Sequence, residues 1–192
     1  MKNLGALFVL GLIFSMPAMA QDVPKFEIGG GVAYRSFDQF SGSRLNMAGF
    51  EAYGDYHIWR FINVAADFAG TYNRYGTSGS LNKTNSSTDI YSFLVGPQLY
   101  PFGHDHKVTV FGHVLFGGGD YVYHLSQVGF TSFDKSYFGP VWMGGGGLDW
   151  KIKKHWSLRL VEADYERTSF LSGAPSQGNY RASIGLLYRF RE

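Results

Sequence analysis

The chain has no cysteine. That excludes the disulfide framework on which many small secreted domains depend, and it excludes lipid attachment at a processing-site cysteine. Proline is scarce, 6 in 192 residues, so few positions interrupt a hydrogen-bonded ladder. Charge of either sign is not in excess: the formal net charge is +2 and no basic cluster stands out, which excludes a nucleic-acid-binding surface. After Ala20 no run is apolar enough for a membrane helix, which needs about 20 such residues. What is abundant is aromatic side chain, 18% with 13 Tyr and 17 Phe, together with 26 Gly. That mixture favours many strands, tight turns and close backbone packing.

The first residues read as a segment that is removed. Met1-Lys2-Asn3 is basic, Leu4 to Phe14 is mainly apolar, and Ala18 and Ala20 stand where signal peptidase reads small residues. This is a secretory signal peptide with cleavage expected after Ala20. Its apolar run is too short for a retained membrane anchor. Residues 21–192 are then expected to form one domain.

Alternation of side chains across a strand organises that domain. In the last segment, Asn179 to Phe190, one face carries Tyr180, Ala182, Ile184, Leu186, Tyr188 and Phe190, and the other Arg181, Ser183, Gly185, Leu187 and Arg189. The aromatics of the apolar face lie at its two ends, as in a strand that crosses a bilayer. Seven more strands are expected at 26–36, 46–56, 61–72, 88–100, 108–119, 138–151 and 157–167. Pro97 lies inside the fourth and predicts a bulge. The seventh is ambiguous, because Glu162, Asp164 and Glu166 share a face with Leu158 and Leu160, while Arg159 falls opposite. The acids are placed inside, since carboxylates facing lipid would cost several kcal/mol.

The connections alternate long and short. The stretches 37–45, 73–87, 120–137 and 168–178 are long and polar, and those near Trp59, Phe102 and Lys153 are short. Trp59, Trp150, Trp156 and Phe190, with Phe61 and Phe102, cluster at the short-turn end and predict an aromatic girdle. The expectation is an all-β fold: an eight-stranded antiparallel up-and-down transmembrane β-barrel. The rival is a soluble lipocalin-like barrel with the faces reversed. Aromatics at strand ends, together with the absence of lipocalin turn motifs or a C-terminal helix, favour apolar-out.

An eight-stranded interior is just wide enough for side chains to fill. The expected lumen holds Glu27, Arg35, Glu51, Asp55, Asp67, Asp149, Lys151, Glu162, Asp164, Arg181 and Arg189. Charges removed from water must pair, so the reading is a plug of ion pairs, with Arg35 and Arg181 meeting Glu51 and Glu162 among others. A narrow ion pore is the alternative.

Ser183, Gly185, Tyr188 and Phe190 resemble the C-terminal targeting signal of bacterial outer-membrane barrels, a polar residue, a glycine and two alternate aromatics, although Arg191 and Glu192 follow here. With the architecture, this makes the chain similar to the small outer-membrane β-barrel proteins of the OmpA/OmpX type, without room for a peptidoglycan-binding domain. The resemblance implies a monomer embedded in outer-membrane lipid of a Gram-negative cell, with long loops outside and termini in the periplasm. It also implies periplasmic chaperones and the barrel-assembly machinery as partners, the latter reading Gly185, Tyr188 and Phe190. The implied role is non-enzymatic, in envelope integrity or surface contact, with no cofactor.

Three constellations carry little by comparison. His124-Leu125-Ser126 has the His-x-Ser spacing of an outer-membrane lipid A deacylase, but it falls at the foot of a loop and the sequence places no acid beside it. His104-Asp105-His106 has only two imidazoles and one carboxylate in a short turn, so a solvated turn rather than a metal site is expected. His113 reads as a hydrogen-bonded lumen residue. Asn82 and Asn85 match the N-glycosylation pattern, read as loop composition, and the Gly29–Gly31 and Gly144–Gly147 runs lack the lysine and helix of a phosphate loop.

Overall fold

The computed structural model describes residues 25–39, 43–78, 83–104, 106–127, 132–170 and 176–190. The expected signal peptide, residues 1–20, lies outside them. The strands are β1 (Phe26–Asp38), β2 (Arg44–Trp59), β3 (Ile62–Ser78), β4 (Lys83–Leu99), β5 (Val108–Gln127), β6 (Phe133–Lys151), β7 (Trp156–Thr168) and β8 (Gln177–Phe190). Each pairs antiparallel with its sequence neighbours, and β1 pairs with β8, so the sheet closes into a barrel. Closure removes the two free edges that an open sheet would leave.

Two expectations need correcting. Most of the stretches 73–87 and 120–137 are strand, not loop: the β3–β4 ladder runs unbroken from Arg74↔Ser87 to Ser78↔Lys83, and β5 pairs with β6 as far as Leu125↔Phe133. Their Ser, Thr and Asn residues report contact with water rather than lack of structure. Pro97 causes no bulge, because the β4–β5 register is the same at Val95↔Phe116 and at Gln98↔His113, on either side of it. The proline sits opposite Val64 of β3 and leaves the ladder in step.

The faces are those of a barrel turned inside out relative to a soluble protein. Phe50, Val64, Phe93, Val114 and Ile184 are exposed on the outer wall, while Glu51, Asp67 and Arg181 are buried inside. The soluble-barrel alternative is thereby set aside. At the end bearing the termini, Trp59, Trp150, Trp156, Phe102 and Phe190 stand on the outside, with Phe26 and Phe190 in ring contact at 5.5 Å. At the hairpin end, Tyr72 meets Tyr91 and Tyr165 meets Tyr180 edge to face. Tyr180 and Phe190 are ten residues apart on β8. At about 3.3 Å per residue and a tilt of about 40°, that separates the two belts by about 25 Å of height, the thickness of an outer-membrane apolar band.

Strand β7 holds the one departure from strict alternation that changes the interior. Its pairing shifts register between Arg159 and Glu162, so Leu160 and Val161 both face out, 40% and 43% exposed. A bulge inserts one residue and reverses which parity points inward. Arg159 therefore turns into the barrel along with Glu162, Asp164 and Glu166, and Leu160 does not share the acids' face.

Inside, the hairpin end is apolar, with Phe37, Met47, Ile90, Leu94, Leu115 and Met143 packed together. Below them lies the charged layer. Tyr53 fills the β1–β8 side, its hydroxyl donating to the Leu186 carbonyl at 3.3 Å. Its ring requires bare backbone opposite, since a Cβ on Gly185 would stand 2.8 Å from the Tyr53 hydroxyl.

Candidate functional site

Inward parity on six of the eight strands brings the charged residues into one layer. Arg181 of β8 is its hub. Its guanidinium donates to both oxygens of Asp67, Nη1 to Oδ1 at 2.6 Å and Nη2 to Oδ2 at 3.0 Å. Its Nε reaches Asp164 Oδ2 at 3.2 Å, and Nη2 reaches Glu162 Oε1 at 3.4 Å and lies 3.9 Å from Glu51 Oε2. Arg159 joins Asp149, 3.0 Å from Nε to Oδ1, to Glu162, 2.5 Å from Nη1 to Oε2. The same guanidinium lies 4.0 Å from the Tyr53 ring centre and 4.2 Å from that of Phe111, a cation–π arrangement within a desolvated site.

Arg35 pairs with Glu166, Nε to Oε2 at 3.0 Å, and donates to Thr71 and Ser92, each at 3.0 Å. It does not meet Glu51. Arg35 faces Met47 across the β1–β2 ladder and Glu51 faces Gly31, further toward the termini. Arg189 pairs with Glu27 at 3.0 Å, Nε to Oε1. Asp55 is buried, and its Oδ1 has no hydrogen-bond partner. Lys151 sits at the rim, where its ammonium donates to the His104 carbonyl at 3.0 Å. His113 Nε2 lies 2.9 Å from Asp164 Oδ1.

The layer thus contains all the expected residues except Lys151, which stands at its edge. It adds Arg159, and it includes Glu166, which the inward placement of the acids of β7 already implied although the expected lumen set did not name it. The bulge hid Arg159, since strict alternation puts it outside. Glu166 was legible from the alternation of β7 alone. The four arginines and their acid partners are each at most 5% exposed. Removing one member of such a pair costs about 3–5 kcal/mol, because the other is left charged and unpaired.

The mouth at the terminal end is closed by the β4–β5 turn. His104 is buried at 3% exposure, its ring 3.9 Å from Tyr100 and 5.3 Å from His57 between centres. His106 is exposed and Asp105 lies outside the described residues. The solvated turn expected at 104–106 is therefore corrected: the apolar stack with Tyr100 draws one histidine into the mouth while the other stays in water. Burial, with His57, Arg189 and Lys151 nearby, holds the His104 imidazole down to about 3. His57 Nδ1 contacts Asn63 Oδ1 at 2.9 Å.

On the outer wall, beyond the tyrosines of the hairpin end, His124 and Ser126 lie on β5 rather than in a loop. The acid that the sequence did not place is Asp134, directly opposite on β6. His124 Nδ1 is 2.7 Å from Asp134 Oδ1, with side chains 46% and 68% exposed. A carboxylate only accepts, so Nδ1 carries the proton and Nε2 is left as a base. His124 and Ser126 line a recess of about 410 Å³ with Arg74, Ser87 and Asp89. Of the residues resembling a targeting signal, Ser183 and Gly185 face inward and Tyr188 and Phe190 outward. Asn85 is exposed and Asn82 lies outside the described residues.

The family model for the outer membrane protein beta-barrel domain matches residues 6–190. No curated protein matches the sequence. Among solved structures, the attachment invasion locus protein Ail of Yersinia pestis, in complex with the heparin analogue sucrose octasulfate, is 21% identical with a TM-score of 0.64, over 88% of this chain and 99% of that one. Neisserial surface protein A is 13% identical with a TM-score of 0.59, over 86% and 97%. OprG of Pseudomonas aeruginosa is 14% identical with a TM-score of 0.52, over 90% and 98%. At these identities the likeness is one of fold.

The buried His104 makes stability depend on pH. Its folded value lies near 3 against the ordinary 6.5, so the unfolded chain binds the extra proton as pH falls through 6.5. The contribution is whole above that value and is lost on the way down toward 3. Between about pH 7.5 and about pH 5 the wild type should lose about 2 kcal/mol from this group, and His104→Gln should not. Urea unfolding of both proteins at the two pH values measures the difference; equal losses in both would contradict it.

Proposed function

Because the chain belongs to the outer membrane protein beta-barrel domain family, we propose that it is a non-enzymatic barrel of the outer membrane that presents its hairpin end at the cell surface. The observation that carries this reading is the lumen: the charges that would line a pore are buried and paired with one another around Arg181 and Arg159. A conducting path needs charges facing water. Strand length supports this orientation. β3 to β6 are the longest strands, 20 residues in all for β5, and run past the tyrosine belt, while Phe26 and Phe190 lie at the opposite end. Long excursions lie outside and short turns in the periplasm in bacterial barrels.

The proposed partners follow from the surfaces. Outer-membrane lipid covers the exposed aliphatic band. The barrel-assembly machinery and periplasmic chaperones meet β8, whose Tyr188 and Phe190 face outward. A sheet without free edges suits a monomer. Contact with a polyanion, as the Yersinia protein makes with a heparin analogue, is one form that a surface role takes. In planar bilayers the purified barrel should insert without unitary current steps; stepwise, voltage-stable conductance would establish the pore instead.

His124 and Asp134 favour one second reading, ester hydrolysis at the outer wall. There Ser126 would be the nucleophile and Nε2 of His124 the base. Its weakness is exposure, since the pair stands in water rather than in a site that excludes it. Mass spectrometry of lipid A from cells expressing wild type or Ser126→Ala decides the matter. The non-enzymatic reading expects identical acyl profiles, and an acyl chain lost only with wild type would overturn it.

A further inference from the structure

The charged layer is not balanced. Among the described residues, eight carboxylates are buried inside the barrel, those of Glu27, Glu51, Asp55, Asp67, Asp149, Glu162, Asp164 and Glu166, against four guanidiniums, those of Arg35, Arg159, Arg181 and Arg189. Glu27 with Arg189 and Glu166 with Arg35 are matched pairs. The excess concentrates around the other two arginines. Arg181 and Arg159 are shared among Glu51, Asp67, Asp149, Glu162 and Asp164. Even with His113 as an imidazolium on Asp164, two negative charges of that group of five stay unmatched in a site removed from water, and Asp55 adds a third outside it. Such a surplus is not held without a counter-charge.

Glu51 marks where the counter-charge belongs. It is 2% exposed, and no arginine or backbone group donates a hydrogen bond to its carboxylate. The nearest arginine nitrogen stands off at 3.9 Å. The donor that reaches it is the buried Ser183 hydroxyl. One oxygen each from Glu51, Asp67 and Glu162 lie within 4.8 Å of one another. Oxygens around a single calcium ion at about 2.4 Å are separated by up to about 4.8 Å. The arginine bonds to Asp67 and Glu162 do not exclude this, since each carboxylate has about four lone-pair sites. His113, Glu162 and Asp164 form a second such set, but Asp164 already serves both His113 and Arg181, which leaves no unpartnered group there.

We propose that the barrel interior holds one hard divalent cation, of the calcium or magnesium type, ligated by Glu51, Asp67 and Glu162. Its double charge cancels the surplus around Arg181 and Arg159, and its oxygen preference matches the donor set. The apolar cluster of Phe37, Ile90, Leu94 and Met143 lies on the hairpin side and the Tyr100–His104 stack closes the other. The ion is accordingly taken up as the barrel folds and exchanges slowly afterwards. The alternative neutralisation, by protons on Glu51 and a neighbour, would leave no metal.

The mature chain is folded from urea into detergent micelles with calcium chloride or magnesium chloride. It is then passed into chelator-containing buffer and its metal content measured by inductively coupled plasma mass spectrometry. Heat-modifiable migration verifies that each sample is folded. Wild type should retain about one ion per chain, Glu51→Gln should retain at least about tenfold less, and Asp89→Asn, on the outer wall, should match wild type. Folded wild type without metal, or Glu51→Gln retaining as much as wild type, would overturn the proposal. If Glu51→Gln does not fold, the urea midpoint of wild type folded with and without calcium serves instead. A higher midpoint with calcium supports the site, and identical midpoints overturn it.

Discussion

Arg181 is the point at which four strands are tied together across the lumen. Its guanidinium binds Asp67 of β3 through both oxygens, reaches Asp164 and Glu162 of β7, and faces Glu51 of β2. A fork of five N–H donors fits such a site where an ammonium would not. Hydrocarbon outside the barrel leaves a charged side chain only one place to go. Once inside, it has no water and needs partners. The outer wall of Phe50, Val64, Val114 and Ile184 and the inner layer around Arg181 are therefore two consequences of a single alternation. Exchanging the faces would destroy both.

On the proposed reading this interior belongs to a passive barrel. Interlocked pairs join β8 to β3 and β7 to β6 inside the barrel. The paired charges lie in the band between the two aromatic belts, and on the proposed reading the hairpins beyond it serve contact. The His124–Asp134 pair lies in that outer zone and the Tyr100–His104 stack at the other mouth. The first is placed by the same even and odd parity that fills the lumen, the second by the turn between β4 and β5.

The closed eight-stranded architecture and the polarity of its faces were legible in the sequence because alternation is a strong signal. Tyr180, Ile184, Leu186 and Phe190 on one side, with Arg181, Ser183 and Arg189 on the other, admit few readings. What failed to show was whatever breaks or outruns that period. The bulge at Leu160–Val161 has no composition of its own, so Arg159 was assigned to the wrong face. Polar residues of β3 to β6 beyond the tyrosine belt looked like loop because both of their faces meet water. Asp134 was out of reach for a different reason: its pairing with His124 depends on register across a hairpin, which spacing along the chain does not give. Pro97 shows the opposite error, a strong local rule overridden because the ladder continues on both sides of it.

The account rests on the outer face meeting hydrocarbon while the inner face meets protein. Because the chain has no cysteine, single cysteines placed one at a time from Val110 to Phe116 carry a nitroxide label without background. Collision with oxygen and with a water-soluble nickel complex is then measured in lipid vesicles. Val110, Gly112, Val114 and Phe116 should show high oxygen and low nickel accessibility, and Phe111, His113 and Leu115 low values for both. The opposite phase, or no alternation along β5, would contradict the account.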